Sequence, residues 1–351
     1  MDASLFFAAA AALAIVIYVL ADGFDLGVGI LFPVAPHDEH RDRMMESIEP
    51  IWDGNETWLV FGGTLLFAAF PIAYYVLLPA FYLAIMLMLF ALIARGIAFA
   101  FRSQTTRFRR VWDVVFAGGS LLAAFCQGLI LGGFIQGVPM RDGVFDGSSF
   151  HFLTFLGVLC GIGLIGGYAL LGAGWLIWRT TGSLQTFARE VGHAALILAA
   201  AAMALVSAWT SFTQDAVASR WFDWPNIAFL APVPILTAIL VGAIWRSLWL
   251  PNEKLTLLLS IGLFLLGFAG LVVSLWPYII PWNVTIWDGV TDAKSQLFVG
   301  VGIALIMPIV LAYQAFAYWV FRGKLDGHQR VLGAPFETRN TFSRGKGLHF
   351  S

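Results

Sequence analysis

Residues 50 to 58 read PIWDGNETW, and the chain continues WLVFGGTLLFAAFPIAYYVLL. Two carboxylates, Asp53 and Glu56, therefore stand where a long apolar run begins. A second acid pair, Asp22 and Asp25, lies in ADGFDLGVG toward the end of the first apolar run, Arg95 sits inside another, and Asp113 opens a fourth. Ionisable groups in such runs are expensive and mark ion or proton pathways by default. The i,i+3 spacing of each acid pair puts its members on one helix face, where they can share a partner or a water. The expected proton-pathway residues are Asp25, Asp53 and Glu56, and Asp22, Arg95 and Asp113 complete a charge cluster on the inner side. The competing structural reading is that first-turn acids complement the helix dipole, Asp53 is an N-cap and Arg95 snorkels to the interface. It fits Asp22 and Asp25 poorly, since acids near a helix C-terminus oppose the dipole.

Composition identifies the solvent around these residues. The chain is 60% hydrophobic and 12% charged, with a mean hydropathy of +0.83, whereas soluble domains average roughly 25% charged. It is an integral membrane protein. A formal net charge of -1 provides no field to attract nucleic acid. Cys126 and Cys160 lie in separate apolar segments without metal-binding spacing and read as small packing residues. The first apolar run lacks a basic n-region and is too long for a signal-peptide core, so it is expected to stay as the first span.

Nine runs of membrane length are expected, over residues 5-32, 52-74, 77-101, 111-138, 150-178, 191-213, 226-250, 255-280 and 293-321. With nine spans, sixteen of the 20 Lys and Arg residues fall in loops on one side, only Arg141, Arg220 and Lys294 fall on the other, and Arg95 lies within a span. The positive-inside rule then puts the N-terminus outside and the C-terminus in the cytoplasm. The expected fold is an all-α membrane protein: one nine-helix domain over 1-321, then a short basic cytoplasmic tail over 322-351. Small-xxx-small pairs at Gly128/Gly132, Gly133/Gly137, Gly157/Gly161 and Gly163/Gly167 predict close helix packing. This orientation puts all six candidate site residues in the cytoplasmic half of the membrane.

A redox centre in the chain itself finds little support. Haem needs axial ligands pointing inward from packed helices, and only His151 and His193 touch expected spans, both near helix starts. Glu190 to His193 spells E-x-x-H, but a di-iron bundle needs a second copy and further glutamates. Met86, Met88, Met203 and Met307 suit gap-filling. No metal site and no catalytic residue is expected in this chain.

The combination ADGFDLGVGILFP, IEPIWDGNETWLVFGG, VWD at 111-113, IQGVP at 135-139, WPYIIPWNVTIWDGVTDAKSQ and YWVFRG resembles, in order and over nearly the whole chain, subunit II of the cytochrome bd-type quinol oxidases, with wording closer to the cyanide-insensitive branch. The resemblance implies a nine-helix subunit in the bacterial cytoplasmic (inner) membrane. It would bind no haem itself and pair with a haem-bearing subunit I, which holds haem b and haem d, oxidises quinol and reduces oxygen to water. It also implies that Asp53 serves a cytoplasmic proton path into subunit I, that Asp25 is a neighbouring acid and that Arg95 occupies a family position. Quinone, membrane lipid and a small accessory subunit are further expected partners. Ala100 departs from the pattern, since similar chains carry an acid two residues before the arginine that closes helix three. The IWDG repeat at 51-54 and 286-289 is weak grounds for internal duplication. The alternative from another class is a stand-alone proton-coupled transporter, against which stands the one-sided depth of the acids.

Overall fold

The computed structural model describes residues 3–325, so most of the expected tail, 322-351, lies outside the described residues. Helix α1 (Ala3–Leu31) ends in a 3-10 turn, Phe32–Val34, and is followed by the short polar helix α2 (Asp38–Ile48). Next come α3 (Trp52–Ala69), α4 (Pro71–Arg102) and α5 (Arg109–Gln136), then a two-stranded hairpin of β1 (Met140–Arg141) and β2 (Val144–Phe145). Helices α6 (Phe155–Arg179), α7 (Ser183–Thr213), α8 (Asp215–Phe222), α9 (Asn226–Leu230), α10 (Pro232–Ser247) and α11 (Leu255–Leu275) follow. A second hairpin, β3 (Tyr278–Ile280) with β4 (Val284–Thr285), leads to α12 (Ala293–Val320). Asp142 and Gly143 at the first hairpin tip both have positive φ, the backbone that a two-residue Asp-Gly turn requires.

Among the described residues, eight helical segments are long and apolar enough to cross a membrane. They are α1, α4, α5, α6, α7, α9 with α10, α11 and α12. The remaining expected span, 52-74, corresponds to α3, which has 18 residues. Its polar start, Asp53, Asn55 and Glu56, distinguishes it from the eight, not its length. The break after α3 falls at Phe70, earlier than expected from the apolar pattern, because Pro71 opens α4: proline has no N–H to continue a helix but suits a first helical position. Helix α7 begins at Ser183, well before the expected 191. There the helix outruns the apolar pattern, because its first two turns, through Arg189 and Glu190, are polar.

Two of the four expected small-residue pairs, Gly128/Gly132 and Gly157/Gly161, meet each other between antiparallel α5 and α6. A Cβ on Gly128 would lie 2.3 Å from the Cα of Gly161, and one on Gly132 would lie 2.5 Å from the Cα of Gly157. The approach of α1 to α6 is tighter still, since a Cβ on Gly27 would lie 1.8 Å from the Tyr168 carbonyl oxygen. Without water between helices to drive burial, such backbone proximity is the main source of packing energy. Cys126 and Cys160 are buried, free thiols. The second IWDG copy, Ile286 to Gly289, follows β4, where Thr285 Oγ1 bonds the Asp288 carboxylate at 2.5 Å. It is a turn and not a helix start, so the repeat has no structural counterpart.

Candidate functional site

Helices α1, α3, α4 and α12 converge on the acid-bearing segments. Asp22, Asp25, Asn55 and Arg95 each have 0% exposure. Arg95 donates from Nη2 to Asp22 Oδ1 at 2.7 Å and to Glu56 Oε2 at 3.2 Å, and its guanidinium lies 6.0 Å from the Trp52 ring centroid. One arginine thus bridges an acid of α1 and an acid of α3. Taking a charge out of water costs several kcal/mol per ion, and here two carboxylates facing one guanidinium offset it.

Asp25 takes a different partner. Its Oδ2 accepts from Asn55 Nδ2 at 2.7 Å, and the same amide nitrogen donates to the Ala21 carbonyl at 3.3 Å. Asn55 Oδ1 in turn accepts from Gln314 Nε2 and from the Tyr318 hydroxyl, both at 2.8 Å. Gln314 Oε1 accepts from the Trp58 indole. The result is a continuous chain of polar contacts from a buried carboxylate on α1, through α3, to a phenol near the end of α12. Asp22 Oδ2, Asp25 Oδ1 and Arg95 Nε and Nη1 are buried without a protein hydrogen-bond partner.

The six expected residues do not form one cluster. Asp53 is exposed on α3, and the N-cap position of that helix is Ile51, with no side-chain cap bond, so the capping role considered for Asp53 is not observed. Glu56 turns inward to Arg95 while Asp53 faces out: residues three apart on a helix differ by about 60° in direction. Asp113 joins a second network at the α4–α5 junction, accepting from Arg102 Nε at 2.5 Å. There Arg102 also donates to Asp42 at 2.7 Å, and Arg109 donates to the same carboxylate. Burial alone would raise the Asp42 carboxyl, but hydrogen bonds from Arg109 and Arg102 outweigh it and hold the group below the usual carboxylate range. Ala100 is exposed on α4, so the missing family acid at that position does not interrupt the buried network.

Asn55, Gln314, Tyr318 and Trp58 are the members that residue-by-residue reading of charge overlooked. Asn55 was legible, being the polar centre of WDGNE. Gln314 could have been found as a primary amide inside the otherwise apolar α12. A further polar chain lies one turn toward the N-terminus of α1 from Asp22: Gln127 Nε2 donates to the Tyr18 hydroxyl at 2.8 Å, and the Tyr168 hydroxyl donates to Gln127 Oε1 at 2.6 Å. Among the histidines near span ends, His193 Nδ1 is 2.9 Å from the Arg189 carbonyl and packs on Trp245 and Trp249, while Glu190 is exposed. Among the described residues, no group of three or more His, Cys, Asp or Glu is placed to hold a metal ion.

Long apolar helices enclosing a buried carboxylate–arginine pair and an amide–phenol chain define a multi-pass membrane protein with an internal polar route at one end of its bundle. The chain belongs to the cytochrome bd terminal oxidase subunit II family, whose model matches residues 3–321. It is 28% identical over 356 residues to the cytochrome bd-I ubiquinol oxidase subunit 2 of Escherichia coli (strain K12), covering 88% of this chain and 91% of that one. The probable cytochrome oxidase subunit 2 of Haemophilus influenzae is 29% identical over 349 residues, covering 89% of this chain and 92% of that one. In fold it is similar to the bd oxidase structure from Geobacillus thermodenitrificans, with a TM-score of 0.72, 16% identity, and coverage of 91% of this chain and 99% of the other. It is a multi-pass inner-membrane protein.

Proposed function

We propose that this chain is the haem-free subunit II of a quinol:oxygen oxidoreductase, paired with a subunit I that carries haem b and haem d, and that its buried polar network delivers protons from the cytoplasmic side. The observation that carries this reading is the chain Asp25–Asn55–Tyr318 beside the Asp22–Arg95–Glu56 bridge. The Asp25 carboxylate can hold a proton and the Tyr318 hydroxyl can reorient one, while the Asn55 amide, donating to Asp25 and accepting from Tyr318, fixes both groups in place, and the unpartnered carboxylate oxygens of Asp22 and Asp25 are where water would extend the route. Asp53, exposed on the same helix as Asn55, would exchange protons with whatever covers that face. Oxygen chemistry and quinol oxidation belong to the haem subunit, and this chain contributes position and proton supply.

Nine crossings with the N-terminus outside are part of the same proposal. Helix α3 runs antiparallel to α1, with Asn55 beside Asp25 and Gly62 beside Ala14. Its far end meets the segment before α12, where the Thr291 amide donates to the Ala69 carbonyl at 2.9 Å. At about 1.5 Å per residue α3 is ~27 Å long, close to the ~30 Å hydrocarbon thickness, so it returns across the depth that α1 crossed. The transporter reading would need charges near the midplane of facing repeats, whereas the charges here gather at one end.

The test is the two-subunit complex carrying Asp53→Asn or Asp25→Asn, measured as quinol-driven oxygen consumption per haem. Both substitutions keep shape and hydrogen bonding but cannot release a proton. Each complex is expected to assemble with its haems and to lose most of its turnover, with Glu56→Gln milder. Wild-type turnover across a pH range in both variants would reject the proton route.

A further inference from the structure

The corner where α6, α12 and the end of α2 meet holds positive charge that, among the described residues, no carboxylate pairs with. Arg179 is 4% exposed, and its Nε and Nη1 are buried without a hydrogen-bond partner. Its guanidinium stacks over Trp175, 5.3 Å from the ring centroid, but an indole face offsets only part of the cost of burying a full charge. Two further cations stand nearby. Arg322 lies 4.7 Å from the Trp319 ring centroid and donates to the Trp319 carbonyl at 3.2 Å, and Lys254 Nζ lies 5.9 Å from the Trp178 ring centroid. Glu253, the acid beside Lys254 in the chain, is engaged by Lys324 and by Gln185. Among the described residues, none of Arg179, Lys254 and Arg322 is ion-paired.

Arg179, Arg322, Ser47, Trp178 and Tyr318 line a cavity of about 10 Å³. That volume holds roughly one water-sized group, which matches a single anionic oxygen. A buried guanidinium whose Nε and Nη1 lack a hydrogen-bond partner and which lines such a space, flanked by two exposed cations and two tryptophans, is matched to an oxyanion at a membrane boundary. Arginine binds phosphate by paired, charge-assisted hydrogen bonds, tryptophan prefers the headgroup level, and clustered Lys and Arg next to a span recognise anionic lipid.

We propose that this corner binds the phosphate of an anionic phospholipid. One phosphate oxygen enters the cavity against Arg179 and Ser47, Arg322 and Lys254 flank the rest of the headgroup, and the acyl chains remain in the bilayer beside Trp319. The bound anion neutralises Arg179. It also sits against Tyr318, the phenol that ends the Asp25–Asn55 chain, but the lipid site stands on its own geometry whatever that chain does.

The experiment compares the delipidated two-subunit complex with its Arg179→Gln, Arg322→Gln and Lys254→Gln variants, by native mass spectrometry and thermal unfolding. Each is given phosphatidylglycerol vesicles, phosphatidylcholine vesicles or inorganic phosphate. The expected result is that the wild type retains about one more phosphatidylglycerol per complex than the variants and melts higher with it, while phosphatidylcholine gives no difference. Stabilisation of the wild type by inorganic phosphate, without phosphatidylglycerol retention, would overturn the lipid source and leave a free-phosphate site. Equal retention and equal melting in wild type and variants would overturn the site altogether. Should Arg179→Gln fail to assemble, the exposed Arg322 and Lys254 decide the outcome, because neither supports the fold from within.

Discussion

Arg95 is the residue on which the acid-bearing end of the bundle depends. It is fully buried and pairs with carboxylates from two other helices, so removing its charge leaves Asp22 buried and uncompensated. Arg95→Gln is expected to destabilise the complex by about 3–5 kcal/mol, read as lower yield and melting temperature. Asp22→Asn combined with Arg95→Gln should recover part of that loss, since of the two carboxylates that Arg95 bridges, the one that remains, Glu56, is partly exposed. At the α4–α5 junction, Asp42 makes a prediction with a definite pH sign. Its folded carboxyl is held below the usual range by Arg109 and Arg102. Its stabilisation is therefore fully present above the unfolded value of about 3.9 and is lost as pH falls through the lower folded value. Melting of the complex from pH 6 down to pH 3 should show this acid loss, and Asp42→Asn should flatten it while lowering stability at pH 6.

At the scale of the element, glycines decide how closely helices meet, and position along a helix does not reveal which glycine matters. Gly27 faces the α6 backbone at a distance no Cβ tolerates, whereas Gly63 has nothing within 4 Å of its would-be Cβ. Gly27→Ala is thus expected to force α1 from α6 and sharply reduce assembled, haem-containing complex. Gly63→Ala should be neutral or stabilising, by up to about 1 kcal/mol, because alanine is the better helix former. Comparable melting temperatures for the two variants would show that the α1–α6 contact is looser than described. The polar helix α2 is anchored differently, through His40 Nε2 to Ser183 Oγ at 2.9 Å. It closes the loop after α1 without forming a separate domain.

At the scale of the molecule, crossing number and orientation govern function, because the proposed proton route serves the oxidase only if its acid-bearing end faces the cytoplasm. Reporter fusions after residues 106 and 340 are expected to read cytoplasmic, and fusions near 143 and 286 external. The same side for 106 and 143 would contradict the proposed topology. The outer face of α12, with Phe298, Leu305, Ile309, Tyr313 and Phe316 exposed, presents a long apolar surface suited to subunit I or lipid.

Membrane residence, eight of the nine expected spans and the charged residues that need an explanation were legible in composition and in runs of apolar residues, because a bilayer imposes length and polarity on each segment separately. The i,i+3 spacing identified Asp22, Asp25, Asp53 and Glu56 as a group of interest. Which acid met which partner was decided only by how the helices turned against one another. Rotation about the axis of α3 sends Glu56 to Arg95 and Asp53 to the surface, and the return of α12 brings Gln314 and Tyr318 to Asn55 across more than 250 residues of chain. The unpaired charge of Arg179 was likewise invisible in one dimension. A basic residue at a helix end reads as a solvated cation until packing on Trp175 buries it, and burial is a property of neighbours that no single segment encodes.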